Sequence, residues 1–141
     1  MYVGVIGSDN YRDKKMVFKL IITNTDTNDI IVSGHSPSHD NDNVDNWAEE
    51  FCKKYSYPEP KIHPPKTLDR DGFFNRNTLI ANDSEKLIAF INIGTYRSGT
   101  WNTINTFAKK ENFNSKNLLI YDENGLLWDK NKLPRWLIPK V

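Results

Sequence analysis

The sequence predicts an α/β fold in which a mostly parallel sheet of about five strands lies between two layers of helices. Three observations carry this expectation. Short apolar or β-branched runs alternate with longer segments whose apolar residues recur at helical spacing. The strand-like runs are apolar throughout instead of alternating, and glycine or hydroxyl residues follow the ends of three of them. Strands that alternate with helices run parallel, and a strand covered on both faces has no solvated side to make polar. Crossovers of this kind are right-handed, so the expected product is a Rossmann-like three-layer sandwich with ligands at the strand C-termini.

The elements follow in order. YVGVI, residues 2 to 6, is a β-branched strand that stops at Gly7, and from Asp13 onward Met16, Val17, Leu20 and Ile21 take helical spacing. DIIVSG, residues 29 to 34, repeats the pattern of strand and glycine. Val44, Trp47, Ala48, Phe51, Cys52 and Tyr55 then form the apolar stripe of a second helix. Residues 56 to 72 contain Pro58, Pro60, Pro64 and Pro65, so this segment is extended or turn-like, with at most a short strand at Lys61 to His63. Beyond it, FFNRNTLIA (73 to 81) predicts a helix, KLIAFINI (86 to 93) a central strand, Gly99 to Lys110 a helix, and NLLIYD (117 to 122) a last core strand. Residues 1 to 125 therefore make one domain, closed by a tight turn at Asn124-Gly125. Residues 126 to 141 form an aromatic tail, whose Trp128, Trp136, Leu137 and Ile138 would pack on the domain or on a neighbouring subunit.

Bulk properties narrow the function classes. A chain of 141 residues with 38% hydrophobic content suits one globular domain. Nineteen Lys and Arg against 18 Asp and Glu leave a formal net charge of +1, too little to steer the protein toward nucleic acid or an anionic membrane. No apolar run approaches the roughly 20 residues of a membrane span, and no signal core opens the chain, so a cytoplasmic location is expected. Cys52 is the single cysteine, which excludes an internal disulfide and a multi-cysteine metal site, and its apolar neighbours make it a core residue. His35, His39 and His63 show no ligand spacing, so neither a metal nor a cofactor is expected.

Three strand ends converge on one edge of such a sheet. They are Gly7-Ser8-Asp9-Asn10, Ser33-Gly34-His35-Ser36, and the stretch GTYRSGTWNTIN from Gly94 to Asn105. Glycine admits close backbone approach, and a helix N-terminus offers unpaired N–H groups and partial positive charge to a phosphate. The same residue types also make ordinary turns and N-caps. No full GxGxxG follows the first strand, which argues against dinucleotide binding in the usual Rossmann manner. Arg76 is a candidate clamp for a phosphate or carboxylate, or else a solvated helix charge, and Arg97 in the third loop is a second candidate. Tyr11 and Tyr96 lie in the loops, where each would either stack on a base or pack as a lid, whereas Trp101, Ile104 and Ala108 have core spacing. The only carboxylates at this edge suited to acid-base work are Asp9 and Asp45, the latter also placed to sit in the first turn of a helix.

VGVIGSDNYRDKKMVFKLI, IVSGHSPSHDNDNVDNWAEEF, FFNRNTLIANDSEKLIAF and GTYRSGTWNTINTFAKK occur in the order and approximate spacing of the SLOG superfamily. Over about residues 1 to 121 the chain resembles that superfamily, and looks most like its short phage- and bacteria-borne DUF2493 or YspA-like branch of unknown function. The superfamily includes the Lonely Guy phosphoribohydrolases, the DNA-processing protein DprA and sensors of nucleotide-derived signals. The resemblance therefore implies binding of a nucleotide or nucleotide-derived small molecule, as a sensor or a sequestering protein. By position it assigns Gly7 and Ser8 to the first ligand loop, Ser33 and Gly34 to the second, Arg76 and Asn77 to a helix facing the pocket, and Ser98, Gly99 and Thr100 to the phosphate turn. The chain departs from the pattern at Asp9, where the family commonly has Arg, at His35, where it has a second glycine, and in a lengthened loop through residues 39 to 43. Asn102 and Thr103 stand where the phosphoribohydrolases carry glutamates, which disfavours N-glycosidic hydrolysis. A nucleoside 5′-monophosphate phosphoribohydrolase and a DprA-like nucleic-acid or protein-interaction module remain the alternatives, the near-neutral charge speaking against unaided nucleic-acid binding. Relatives commonly self-associate, which makes a homo-oligomer an expectation of the resemblance.

Overall fold

Strand and helix alternate along the whole described chain, and the register of the strands shows why. The computed structural model describes residues 1–37, 41–92, 99–111 and 115–129. Its elements are β1 (Tyr2–Gly7), α1 (Lys14–Asn24), β2 (Ile30–Ser33), α2 (Val44–Lys54), β3 (Lys61–Ile62), α3 (Arg70–Asp83), β4 (Lys86–Phe90), α4 (Gly99–Glu111) and β5 (Leu118–Tyr121). The five strands form one sheet in the order β3-β2-β1-β4-β5, and every pairing within it is parallel. The fold is the expected α/β three-layer sandwich. Chain progression reverses direction across the sheet between β1 and β4, which creates a crevice beyond their C-terminal ends.

The two faces of the sheet have separate cores, which accounts for the uninterrupted apolar runs. Along β4, Ile88 and Phe90 join Val3, Val5 and the apolar stripes of α1 and α2, while Leu87 and Ala89 join Ile6 and the apolar faces of α3 and α4. Successive side chains of a strand point to opposite faces, so a strand covered on both sides must be apolar at every position. Cys52 lies in the first core with its thiol pushed up to about 11 by burial, a packed and unreactive residue. Trp101, Ile104 and Ala108 lie in the second core.

Caps set the helix starts. Asp13 accepts from Met16 N–H, Asn43 from Asn46 N–H and Asp69 from Gly72 N–H, each satisfying an otherwise unpaired donor of the first turn. The cap at Asp69 begins α3 three residues before the apolar run that signals it in the sequence. Strand β3 has only two residues, as the surrounding prolines require. After β5, Trp128 packs against the α3–α4 core with its ring 6.0 Å from that of Trp101, and its backbone N–H donates to Ile120 O. The rest of the aromatic tail, from residue 130, lies outside the described residues. Among the described residues, no helix is long and apolar enough to cross a membrane.

Candidate functional site

At the crevice between β1 and β4 lies a pocket of about 370 Å³. The end of β1 gives it Ile6 and Gly7, the loop after β1 gives Asp9, and Ser36, the cap residue Asn43 and Asp45 in the first turn of α2 complete that side. Helix α3 contributes Arg70, Phe73, Phe74, Asn77 and Ile80, which share one face at helical spacing, and Arg76 beside them. The first turn of α4 contributes Gly99, Thr100 and Thr103 and carries no acidic residue. An anion there meets the positive end of a thirteen-residue helix with no carboxylate of that turn opposing it.

Arg76 is the buried cation among the described residues of this pocket. Its side chain is only 10% exposed, so it is not a solvated helix charge. Nη1 donates to Gly34 O at 2.8 Å, Nε donates to Asn77 Oδ1 at 2.9 Å, and the guanidinium lies 5.4 Å from the centre of the Phe73 ring. A buried guanidinium requires this company, because an ion removed from water must recover hydrogen bonds and counter-charge. Asn77 extends the chain of contacts by directing Nδ2 at Gly99 O, 3.3 Å away, and so ties Arg76 to the start of α4.

Asp45 supplies the counter-charge. Its Oδ2 lies 3.5 Å from Arg76 Nη1 and accepts from Ser36 N–H at 3.2 Å, while its own carbonyl accepts from Ser33 Oγ at 2.9 Å. Burial pushes the Asp45 carboxyl up to about 6, with Asp9 and Glu49 adding to the rise and Arg76 and the Ser36 N–H opposing it. Asn43 fixes the preceding loop by donating Nδ2 to Ser36 O.

The residues expected at the site divide into three groups. Gly7, Arg76, Asn77, Gly99 and Thr100 are brought together around the pocket. Ser33, Gly34 and Ser8 stand behind its lining. Ser33 is fully buried and holds the first turn of α2, and Gly34 provides the space that Arg76 fills. Gly7 is also needed by the protein itself, since a methyl group there would overlap Val44 at the start of α2. Ser8 N–H donates to Phe90 O at 2.9 Å, and its buried hydroxyl has no hydrogen-bond partner among the described residues. Ser98, Arg97, Tyr96 and His39 lie outside the described residues.

Tyr11 is neither lid nor stacking platform. It is 1% exposed, packs at 5.5 Å from the Phe90 ring, and donates its hydroxyl to Asp122 O at 2.8 Å. The aromatic surface of the pocket comes instead from Phe73 and Phe74, to which sequence reasoning gave no role beyond helix formation. Their signal was the spacing of residues 70, 73, 74, 77 and 80, which becomes visible once α3 begins at Arg70. Among the described residues, no group of His, Cys, Asp and Glu is arranged to hold a metal ion. No family model, curated protein or solved structure matches this chain.

Proposed function

We propose that this protein binds a nucleotide or nucleotide-derived molecule in the pocket between α3 and the first turn of α4, as a sensor or a sequestering protein. The observation that carries the reading is the buried Arg76 facing the same cavity as the start of α4, at the crevice where the sheet reverses direction. Phe73 and Phe74 supply apolar surface for a base or another planar group, and the volume suits a ligand of mononucleotide size. The resemblance to SLOG proteins points the same way. A left-handed backbone at His35, φ 47°, suits the position where those proteins carry glycine. Calorimetric titration with mono-, di- and cyclic nucleotides tests the proposal. Saturable binding lost in Arg76→Ala and Gly99→Val is the expected result, and no binding by any member of the panel would refute it.

One observation favours a second reading, cleavage of a nucleoside monophosphate to base and ribose phosphate. Asp45 offers the pocket a carboxyl that burial pushes up to about 6, the direction that suits an acid or base for N-glycosidic hydrolysis. Chromatographic detection of free base, abolished by Asp45→Asn, is the outcome that supports hydrolysis. Binding without base release leaves the non-catalytic reading in place.

A further inference from the structure

Among the described residues, the charges lining the pocket balance before any ligand enters. Its described lining sets Asp9 and Asp45 against Arg70 and Arg76. Arg70 is exposed and lies over the Phe74 ring at 4.9 Å, so Arg76 is the buried cation of this lining. Its charge is already shared, because Nη1 bonds Gly34 O and faces Asp45 Oδ2. Asp45 is not free to retreat, since the Ser36 N–H holds its carboxylate and the Ser33 hydroxyl holds its backbone. Among the described residues, the charged groups that act on Asp45 are Arg76 from α3, Asp9 from the loop after β1 and Glu49 from the next turn of α2.

A ligand phosphate enters this balance with a charge set by its chemistry. A phosphomonoester carries about −1.5 to −2 at neutral pH, because its second ionisation lies near pH 6. A phosphodiester has no second ionisation and keeps a single negative charge. The partial positive charge at the start of α4, roughly half an elementary charge, together with the shared Arg76, suits one negative charge. A second meets the buried carboxylate of Asp45 and, farther out, Asp9, and like charges in a desolvated site repel strongly.

We propose that the pocket selects a singly charged phosphodiester, such as a cyclic or bridged nucleotide, over a phosphomonoester dianion, and that Asp45 is the residue that sets the preference. This rests on the nucleotide-binding reading above and narrows it to a ligand class. Asp45→Asn keeps the shape of the side chain and removes the charge, and Asp45→Ser provides a second variant should the amide fold poorly.

The test is calorimetric titration at pH 8 of wild type and both variants with the 3′,5′-cyclic monophosphate and the 5′-monophosphate of each of the four common ribonucleosides. For whichever base binds, the cyclic form is expected to bind wild type about tenfold more tightly than the monophosphate, the size of one modest like-charge repulsion. The variants are expected to bind the monophosphate more tightly and to close most of that gap. Equal or tighter binding of the monophosphate by wild type, or a preference unmoved in both variants, overturns the selection proposal while nucleotide binding stands. Absence of binding by either form for every base overturns the selection proposal, and the nucleotide-binding reading falls with it only when the dinucleotides of the wider panel also fail to bind.

Discussion

Arg76 rests directly on Gly34. Its Nη1 donates to the Gly34 carbonyl at 2.8 Å, and a methyl group added at Gly34 would overlap Nη1 and crowd Cδ and Cζ of the same side chain. The glycine therefore fixes the height at which the guanidinium enters the pocket. Gly34→Ala should push Arg76 off its carbonyl and cost about 1–3 kcal/mol of stability, the usual range for over-packing a filled site. Nucleotide affinity should fall in the same variant, because the displaced guanidinium no longer faces α4. Urea unfolding and ligand titration on one preparation measure both effects. A variant as stable as wild type, with affinity intact, would mean that Arg76 is not seated by Gly34.

The pH dependence of stability has a sign fixed by Asp45. Its folded value of about 6 lies above the ordinary 3.8 because burial disfavours the charged form. Below pH about 4 the group is protonated in both folded and unfolded chains, and its contribution to stability is fully present. Between about 4 and 6 the folded protein holds a proton that the unfolded chain has released, so that contribution declines as pH rises and is lost above the folded value. Asp45→Asn removes this slope. The melting temperature of the variant minus that of wild type should therefore increase from pH 4.5 to pH 7, measured by paired thermal melts. A difference that stays constant would show that Asp45 is not buried as a charge.

These two residues also mark how far the sequence could be read. The parallel sheet and the four helices were legible because each rests on local pattern: the β-branched run of β1 and the i, i+3, i+4 stripe of α2. Arg76 and Asn77 could be assigned to a pocket-facing helix, yet the partner of Arg76 could not, since Asp45 meets it across 31 positions of chain through tertiary packing alone. The role of Gly34 was hidden for the same reason. A glycine next to a hydroxyl suggests room for a phosphate, but here the room is taken by a side chain 42 residues away. Tyr11 shows the opposite limit, because its position in the loop after β1 disguised a core residue whose partner carbonyl lies 111 residues on.

At His35 the backbone makes a prediction that inverts the usual order of side chains. Its φ of 47° is in the left-handed region, which costs an L-residue roughly 1–2 kcal/mol and glycine almost nothing. The imidazole offsets part of this by pairing Nδ1 with Glu49 Oε2 at 2.8 Å, a half-exposed contact of modest value. Both His35→Gly and His35→Ala lose that contact, and only the glycine relieves the backbone. His35→Gly should therefore be more stable than His35→Ala by about 1 kcal/mol in chemical denaturation. Alanine equal to or better than glycine would contradict a left-handed backbone here.

Tyr11 separates folding from binding. Its hydroxyl donates to Asp122 O at 2.8 Å in a buried setting and so joins the loop after β1 to the end of β5, while its ring packs against Phe90. Burial pushes the phenol up to about 12, so it stays protonated and able to donate through the whole physiological range. Tyr11→Phe keeps the ring and removes this hydrogen bond, while the Asp122 carbonyl still accepts from the Gly125 N–H at 3.0 Å, so the change should cost about 0.5–1.5 kcal/mol, the net value of one hydrogen bond. The residue is absent from the pocket lining, so nucleotide affinity should be the same in the variant as in wild type. Thermal melts and ligand titration of Tyr11→Phe read the two quantities separately. Loss of affinity with stability unchanged would instead make Tyr11 a ligand residue and place the ligand against the loop after β1.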